Sequence, residues 1–297
     1  MSGLTQIRQY VLMADDGGFE RPPCASVHPD HDELTRELRR WFTTSAPEIG
    51  YRVEELWCGH LSELGGDMGA RLLLGVATPD QVPAALDDAR KVCGSQEITV
   101  WVDDRARAAR LDEALRSCGC QPGTATTHLA LVGPMADQRG PEHLVIENVG
   151  QAGLAEWATV KLQCFGDTES PPAQERLAIE IAVRQVELAL ADYKLGTIDG
   201  EPVAVLAYYR GSDQLVFNLG TRMPYRHRGI AQAMLAHWVD AGRADGCRSM
   251  IINAEEAGRP AALYRRLGFV DEIYWYRKYL LEKNVMVGTP QTQASEP

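Results

Sequence analysis

At 297 residues, with apolar and charged fractions of 45% and 24%, the chain has a globular composition and is long enough for two ordinary domains, which excludes wholesale disorder. A formal charge of −11 argues against a nucleic-acid partner, since such binding rests on phosphate neutralisation; it is compatible with a cationic amine. No apolar run reaches the ~18 residues of a membrane span and no basic-then-apolar leader opens the chain, so a cytoplasmic protein without membrane contact is expected. Seven cysteines, an odd number, show no metal-ligand spacing, and Cys118-Gly-Cys120 is too tight for a Cys-x-x-Cys clip; reduced thiols and no metal are expected.

In chain order, residues 8–13 read as a strand or short helix, and residues 32–42 as a helix carrying Leu34, Leu38, Trp41 and Phe42 on one face. A strand over 71–76, a helix over 83–92, a strand over 98–102 and a helix over 106–117 follow. Gly119 closes that helix, and a strand over 124–132 completes the first half. Residues 133–143 have the glycine, proline and polar character of a linker. Beyond it, the pattern predicts a strand from Leu144, an amphipathic helix over 154–165 and a second helix over 174–190 with Leu177, Ile181, Val183 and Leu188. Three strands come next, over 193–198, 202–209 and 214–219, the first two joined by the Asp199-Gly200 hairpin signal. A helix from Ile230, stopped by Gly246 with Gly242 falling late in its pattern, leads to a strand over 249–253 and a helix over 259–267 ended by Gly268. An aromatic strand over 273–279 precedes a polar tail over 287–297.

The order of elements repeats. A shift of 149 positions sets Gly119 under Gly268, Arg116 under Arg265, Arg110 under Arg259 and Ala108 under Ala257, and brings the strand at 98–102 near the one at 249–253. The segmentation is therefore 1–132 as a worn copy, 133–143 as linker, 144–284 as the intact half and 285–297 as tail. The worn copy has Leu115 under Tyr264, and the segment after Val76 lacks the glycine and arginines that mark the second half and carries Asp80, which repels an anion. Packing, completion of a substrate pocket or dimerisation remain as its roles, so a homodimer stays open.

Between the strand at 214–219 and the helix at Ile230 lies a basic loop containing Arg226-His-Arg-Gly-Ile-Ala231. Backbone N–H groups at a helix start lack intrahelical partners, and the helix dipole favours an anion there. Gly229 lets the backbone approach a ligand with no Cβ in the way. Such a loop wants a phosphate. It is not a P-loop, which needs Lys-Ser/Thr, and it lacks the first two glycines of a dinucleotide fingerprint. Arg226-x-x-Gly229-x-Ala231 resembles the pyrophosphate loop of the GNAT superfamily of N-acetyltransferases, and Leu263-Tyr-Arg-Arg-Leu-Gly-Phe269 resembles the superfamily's second signature at the proper interval.

The resemblance implies an α/β chain of two GNAT-like domains, each a mixed, mostly antiparallel sheet flanked by helices. It implies acetyl-CoA or another acyl-CoA as co-substrate and a small-molecule amine as acceptor. The pantetheine arm would run beside Leu219, Gly220 and Thr221. The diphosphate would sit on the amides of His227, Arg228, Gly229, Ile230 and Ala231, with Arg226 and Arg228 alongside. Tyr264 would donate a proton to the leaving sulfur, and residues 165–172 would wall the acceptor site. Two departures stand out. The glutamate that relatives carry on the strand before the loop is represented only by Asn218, and Ala257 stands where they have an asparagine seven residues before the tyrosine; Asn253 is the candidate to compensate. The base is left unassigned among Asp167, Glu255, Glu256 or none. Two alternatives stay open: an acyl carrier protein docking on Arg222, Arg226, Arg228 and the Arg259, Arg265, Arg266 cluster, and a module that binds acyl-CoA without turnover.

Overall fold

The computed structural model describes residues 52–56, 59–63, 70–93, 97–135, 140–166, 173–211 and 213–281. The expectations for residues 8–13, 32–42, 167–172 and 287–297 lie outside them. The described chain groups into two compact units, residues 52–126 with 274–281, and residues 127–273.

In the first unit, β1 (Arg52–Leu56), β2 (Gly59–Glu63), β3 (Ala70–Leu74) and β4 (Ile98–Val102) are joined by parts of β5 (Cys120–Leu131) and β11 (Phe269–Leu281), in the order β1-β2-β3-β4-β11-β5. β1–β2, β2–β3 and β4–β11 pair antiparallel, and β3 and β4 run parallel. A parallel pair needs a crossover, supplied here by helix α1 (Val82–Cys93). Helix α2 (Arg105–Ser117) then links β4 to β5. Spacing of 3.6 on the helices meets spacing of 2 on the strands: Ala85, Leu86, Ala89, Leu111 and Leu115 bury against Leu72, Leu74, Val100 and Val102. Asp104 caps α2 by accepting the Arg107 N–H at 2.7 Å, and Gly119, at φ 83°, ends it. Strands β1 and β2 have no counterpart in the sequence reading. Arg-Val-Glu-Glu-Leu and Gly-His-Leu-Ser-Glu hold too few apolar residues to show a period, and their pairing partners decide the conformation.

The second unit contains β6 (Leu144–Asn148), α3 (Leu154–Phe165), α4 (Ala173–Glu187), β7 (Ala191–Ile198), β8 (Glu201–Tyr209), β9 (Asp213–Thr221), α5 (Ile230–Ala244), β10 (Ser249–Glu255) and α6 (Arg259–Arg266). Its strand order is β11-β5-β10-β9-β8-β7-β6, antiparallel from β6 to β9 and parallel between β9 and β10. Asp199 and Gly200, both with positive φ (52° and 81°), form the β7–β8 turn. Ile230, Met234, Leu235, Trp238 and Val239 of α5 join Tyr208, Val216, Ile252, Phe269 and the α6 residues Ala261 and Tyr264 in one core. Trp238 is fully buried and its Nε1–H donates to Gln214 Oε1 at 2.7 Å. Gly242 sits inside α5 because a Cβ there would lie 2.6 Å from Met250 Cε.

Both halves thus contain the run strand-strand-strand, 3-10 turn, helix, strand, helix, strand, preceded in the second by β6, a 3-10 turn and helices α3 and α4. The 149-residue shift superposes the first residues of β5 and β11, Cys120 and Phe269, each preceded by a left-handed glycine (φ 83° at Gly119, 104° at Gly268). The α/β class with mixed, helix-flanked sheets is as the sequence implies. The compact units divide inside β5 and β11, whereas the sequence segments (1–132, 133–143, 144–284) follow chain order; contact density and composition are different partitions of the chain.

Candidate active site

The parallel pairing of β9 with β10 matches Asp213–Val216 to Ser249–Ile252 and stops there. Strand β9 continues against β8 to Thr221, and β10 continues to Glu255. The pairing ends at a bulge: Tyr208 faces Val216 and Ala207 faces Asn218, so Phe217 is the extra residue. A bulge bends its strand and strengthens its twist. Beyond it, residues 217–221 of β9 have β8 on one edge and no β10 on the other, an edge able to take an extended chain as an added strand. Gly220 lies on the end of α3, where a Cβ would come within 2.7 Å of Cys164 Cβ and 3.2 Å of the Phe165 ring. Thr221 Oγ1 is buried without a hydrogen-bond partner among the described residues. Leu219 packs half-buried on the α5 core, and Asn253, also half-buried, is the first β10 residue past the paired stretch.

At the far end of this edge, a 3-10 turn (Met223–Tyr225) leads to Arg226 in an extended conformation, then His227 at φ 64° and Gly229 at φ 79°. Left-handed residues in alternation curl successive N–H groups into a concave anion-binding nest. The helix is not capped by any side chain, and its first bond runs from the Ala233 N–H to the Gly229 carbonyl at 3.0 Å. The amides before it, including those of Ile230 and Ala231, therefore have no intrahelical acceptor. His227 and Arg228 are exposed.

The arginines have work of their own. Arg226 donates from Nε to the Thr221 carbonyl at 3.0 Å and from its terminal nitrogen to the Cys164 carbonyl, tying the loop to the ends of β9 and α3. Arg228 donates to the Pro224 carbonyl at 3.1 Å and lies 5.2 Å over the Tyr225 ring. Arg222 pairs with Glu201 at 2.7 Å. Burial pushes the Cys164 thiol up to about 11, against the pull of Arg226 and Arg222, so it is not a nucleophile at neutral pH.

Tyr264 projects from α6 into the α5 core, its ring edge-on to Phe269 at 6.3 Å. Burial alone pushes its phenol above the usual value, with no hydrogen bond contributing, so the hydroxyl stays protonated and able to donate. Of the other candidates, Asn218 is half-buried opposite Ala207, Ala257 is exposed, and Asp167 lies outside the described residues. A base is not identified by this geometry.

The first unit handles the same positions differently. Its β3–β4 pairing joins Ala70–Leu73 to Ile98–Trp101, nearly the whole of both strands. The turn before α1 is closed by a capping box in which Gln81 Oε1 accepts the Ala77 and Thr78 N–H groups, each at 3.3 Å, and Thr78 reciprocates. Asp80 lies in that first turn, and Leu115 is fully buried aliphatic core.

Sequence reasoning missed one set of residues. Lys161, Glu180, Arg184 and Glu187 form a part-buried chain of ion pairs that reaches Tyr193, Tyr209 and Phe217. The signal was present as Glu180, Arg184 and Glu187 at helical spacing on α4, but charges at such spacing ordinarily mark a solvated face.

Residues 190–271 match the family model of the acetyltransferase (GNAT) domain. Among solved structures, the chain is similar to a GCN5-related N-acetyltransferase from Kribbella flavida (TM-score 0.60, 17% identity, covering 83% of this chain and 95% of that one). It is similar to a GCN5-related N-acetyltransferase from Sphaerobacter thermophilus (0.57, 18%, 78% and 80%). A tandem GNAT protein from the clavulanic acid biosynthesis pathway is also similar, over 95% of both chains (0.55, 17%). At these identities the likeness establishes the fold. No curated protein matches the sequence. Among the described residues no cluster of His, Cys, Asp or Glu is arranged for a metal, and no helix is long and apolar enough to cross a membrane.

Proposed function

We propose, from the match of residues 190–271 to the acetyltransferase (GNAT) domain model, that the second half of the chain transfers an acyl group from an acyl-CoA, acetyl-CoA in the first instance, to a primary amine. The observation that carries this reading is the joining of two features on one strand: an unpaired β9 edge at 217–221, and directly after it an uncapped nest of amides. A pantetheine arm is extended and amide-bearing, so it suits the edge; a diphosphate suits the nest.

In this reading residues 219–221 align the arm, and the amides of residues 227–231 hold the diphosphate. Arg226 acts mainly by holding the loop in shape, and Arg228 adds exposed positive charge. The uncharged amine attacks the thioester carbonyl directly. Tyr264, kept protonated by burial, gives its proton to a departing thiolate of pKa ~8.5. The proton shed by the attacking nitrogen passes to water, and water re-protonates the phenolate. An amine of low pKa needs no protein base. Of the arginines at the loop, Arg222 is already paired with Glu201, which favours free acyl-CoA over an acidic carrier protein as donor.

Calorimetry with CoA and a thiol-release screen across acyl-CoAs and amines test the reading. The wild type is expected to bind CoA, and Arg226→Glu to weaken that binding roughly tenfold or more by releasing the loop and adding charge beside a phosphate. Absence of heat with every CoA ester would overturn the assignment.

A further inference from the structure

The nest fixes one end of the proposed donor; the part-buried ion-pair chain bears on the other. Phe217, the extra residue of the β9 bulge, stands where β10 ceases to pair. Its ring is held from three sides. Tyr209 stacks on it at 4.2 Å and 26°, Tyr193 meets it edge-on at 6.2 Å, and the Arg184 guanidinium lies 5.5 Å from its centre. All three holders converge on one carboxylate: Glu187 accepts from Tyr193 at 2.8 Å and from Tyr209 at 3.3 Å, and pairs with Arg184. Arg184 Nε also donates to Glu180 at 2.7 Å, and Glu180 accepts Lys161 Nζ of α3 at 2.7 Å. The side chains of Glu180, Arg184 and Glu187 are only 14%, 11% and 4% exposed.

Two carboxylates and two cations balance, yet burying four charges is a poor way to gain stability; well-packed apolar residues commonly do as well or better. What a satisfied polar network supplies instead is a single geometry. A phenylalanine in an oily pocket can shift along its neighbours. One gripped between a stacked ring and an oriented guanidinium cannot.

We propose that Arg184 and Glu187 are positioning residues for acyl transfer: by locking Phe217 they fix the β9 bulge, and with it the placement of residues 219–221 against the thioester end of the donor. This rests on the function proposed above. The nest at 227–231 takes its shape from its own left-handed residues, and Arg226 anchors it at Thr221, the end of the edge farthest from Phe217, so loosening the clamp displaces the carbonyl more than the diphosphate. Misplacement of about 1 Å at a reacting centre lowers rates by up to ~10²-fold.

The test uses the full-length protein with acetyl-CoA labelled with carbon-13 at the acetyl carbonyl. In the wild type, the bound carbonyl resonance is expected at a position shifted from that of free acetyl-CoA. In Phe217→Leu, Arg184→Met and Glu187→Gln it should broaden or return toward the free position, and thiol release should fall about ten- to a hundredfold, with the CoA dissociation constant changed by less than about threefold. The double variant Arg184→Met/Phe217→Leu should be no slower than Phe217→Leu alone, because the guanidinium acts through the ring. Should a charge variant fail to fold, Phe217→Leu carries the spectroscopic test by itself. Folded variants that keep the wild-type resonance and rate would overturn the proposal, as would additive effects in the double variant or a parallel loss of CoA affinity. A wild type that does not bind acetyl-CoA at all would instead refute the function on which the proposal rests.

Discussion

Strands β3 and β4 in the first unit and β9 and β10 in the second are the same pair in the same order, and each pair makes four residues of parallel register. The first pair then ends. The second goes on, apart, for five residues on β9 and three on β10. The helix starts differ in the same sense. Thr78 and Gln81 satisfy the amides before α1 from within, and those before α5 are left to something from outside. Two halves with one architecture differ, then, in whether they leave backbone hydrogen bonds unmade where a ligand could make them. In the function proposed here, the second half has its donor site where pairing is withheld, and the first half completes the equivalent pairing.

Substitutions at matched positions break or sharpen that contrast. The largest expected effect is at Tyr264: Tyr264→Phe should lower turnover roughly a hundredfold or more, with CoA affinity kept. Leu115→Ala, at the equivalent place in α2, should leave turnover per folded molecule unchanged and cost about 2–5 kcal/mol of stability in denaturant melts. Full activity in Tyr264→Phe would remove the tyrosine from the chemistry. Because burial holds that phenol above its ordinary value of 10, the wild-type rate should also show no fall assignable to Tyr264 as pH rises to about 10.

A smaller effect is expected at the helix starts. Gly229→Ala forces a side chain into a left-handed conformation at a cost of ~1–2 kcal/mol, so calorimetry should find CoA bound roughly tenfold more weakly. Thr78→Ala should remove about 1 kcal/mol of stability and leave CoA affinity alone. If both changed affinity, the claim that only one half holds the donor would fail.

The smallest effect concerns acid. Burial raises the Glu180 carboxyl, but Arg184 and Lys161 outweigh it and hold the group below its reference value of 4.5. Its contribution to stability is thus complete above about pH 4.5 and is lost as pH falls through the lower folded value. Glu180→Gln should lower the melting temperature at pH 7 and flatten the acid limb. Asp112→Asn in the first unit, where Arg116 and Tyr279 lower a more exposed carboxyl, should change both less. An unchanged acid limb in Glu180→Gln would show that the pair chain is not ionised as described.

Local pattern carried much of this. Helix α3 and strand β4 have the ends that apolar spacing gives, and the 149-residue shift anticipates the matched starts of β5 and β11. The basic loop proposed as the phosphate site stood out because glycine and arginine are conspicuous against a helix start, and α5 does start at Ile230 as its spacing gives. The bulge was not. Phe217 is an ordinary strand residue, and only the register with β8 makes it surplus. Nor was the part played by Arg226: a sequence shows a cation beside an anion site, and only the fold shows the Thr221 and Cys164 carbonyls it grips. The α4 charges were hidden for a related reason, since burial is decided by what packs on a helix and not by the helix itself.

The grip of Arg226 on the Cys164 carbonyl has a consequence for binding equilibria. One guanidinium fastens the end of the edge proposed for the donor to the last turn of α3, the helix that precedes the segment proposed for the acceptor. Any coupling between donor and acceptor carried through that bond is reciprocal: the factor by which an amine changes CoA affinity is the factor by which CoA changes affinity for the amine.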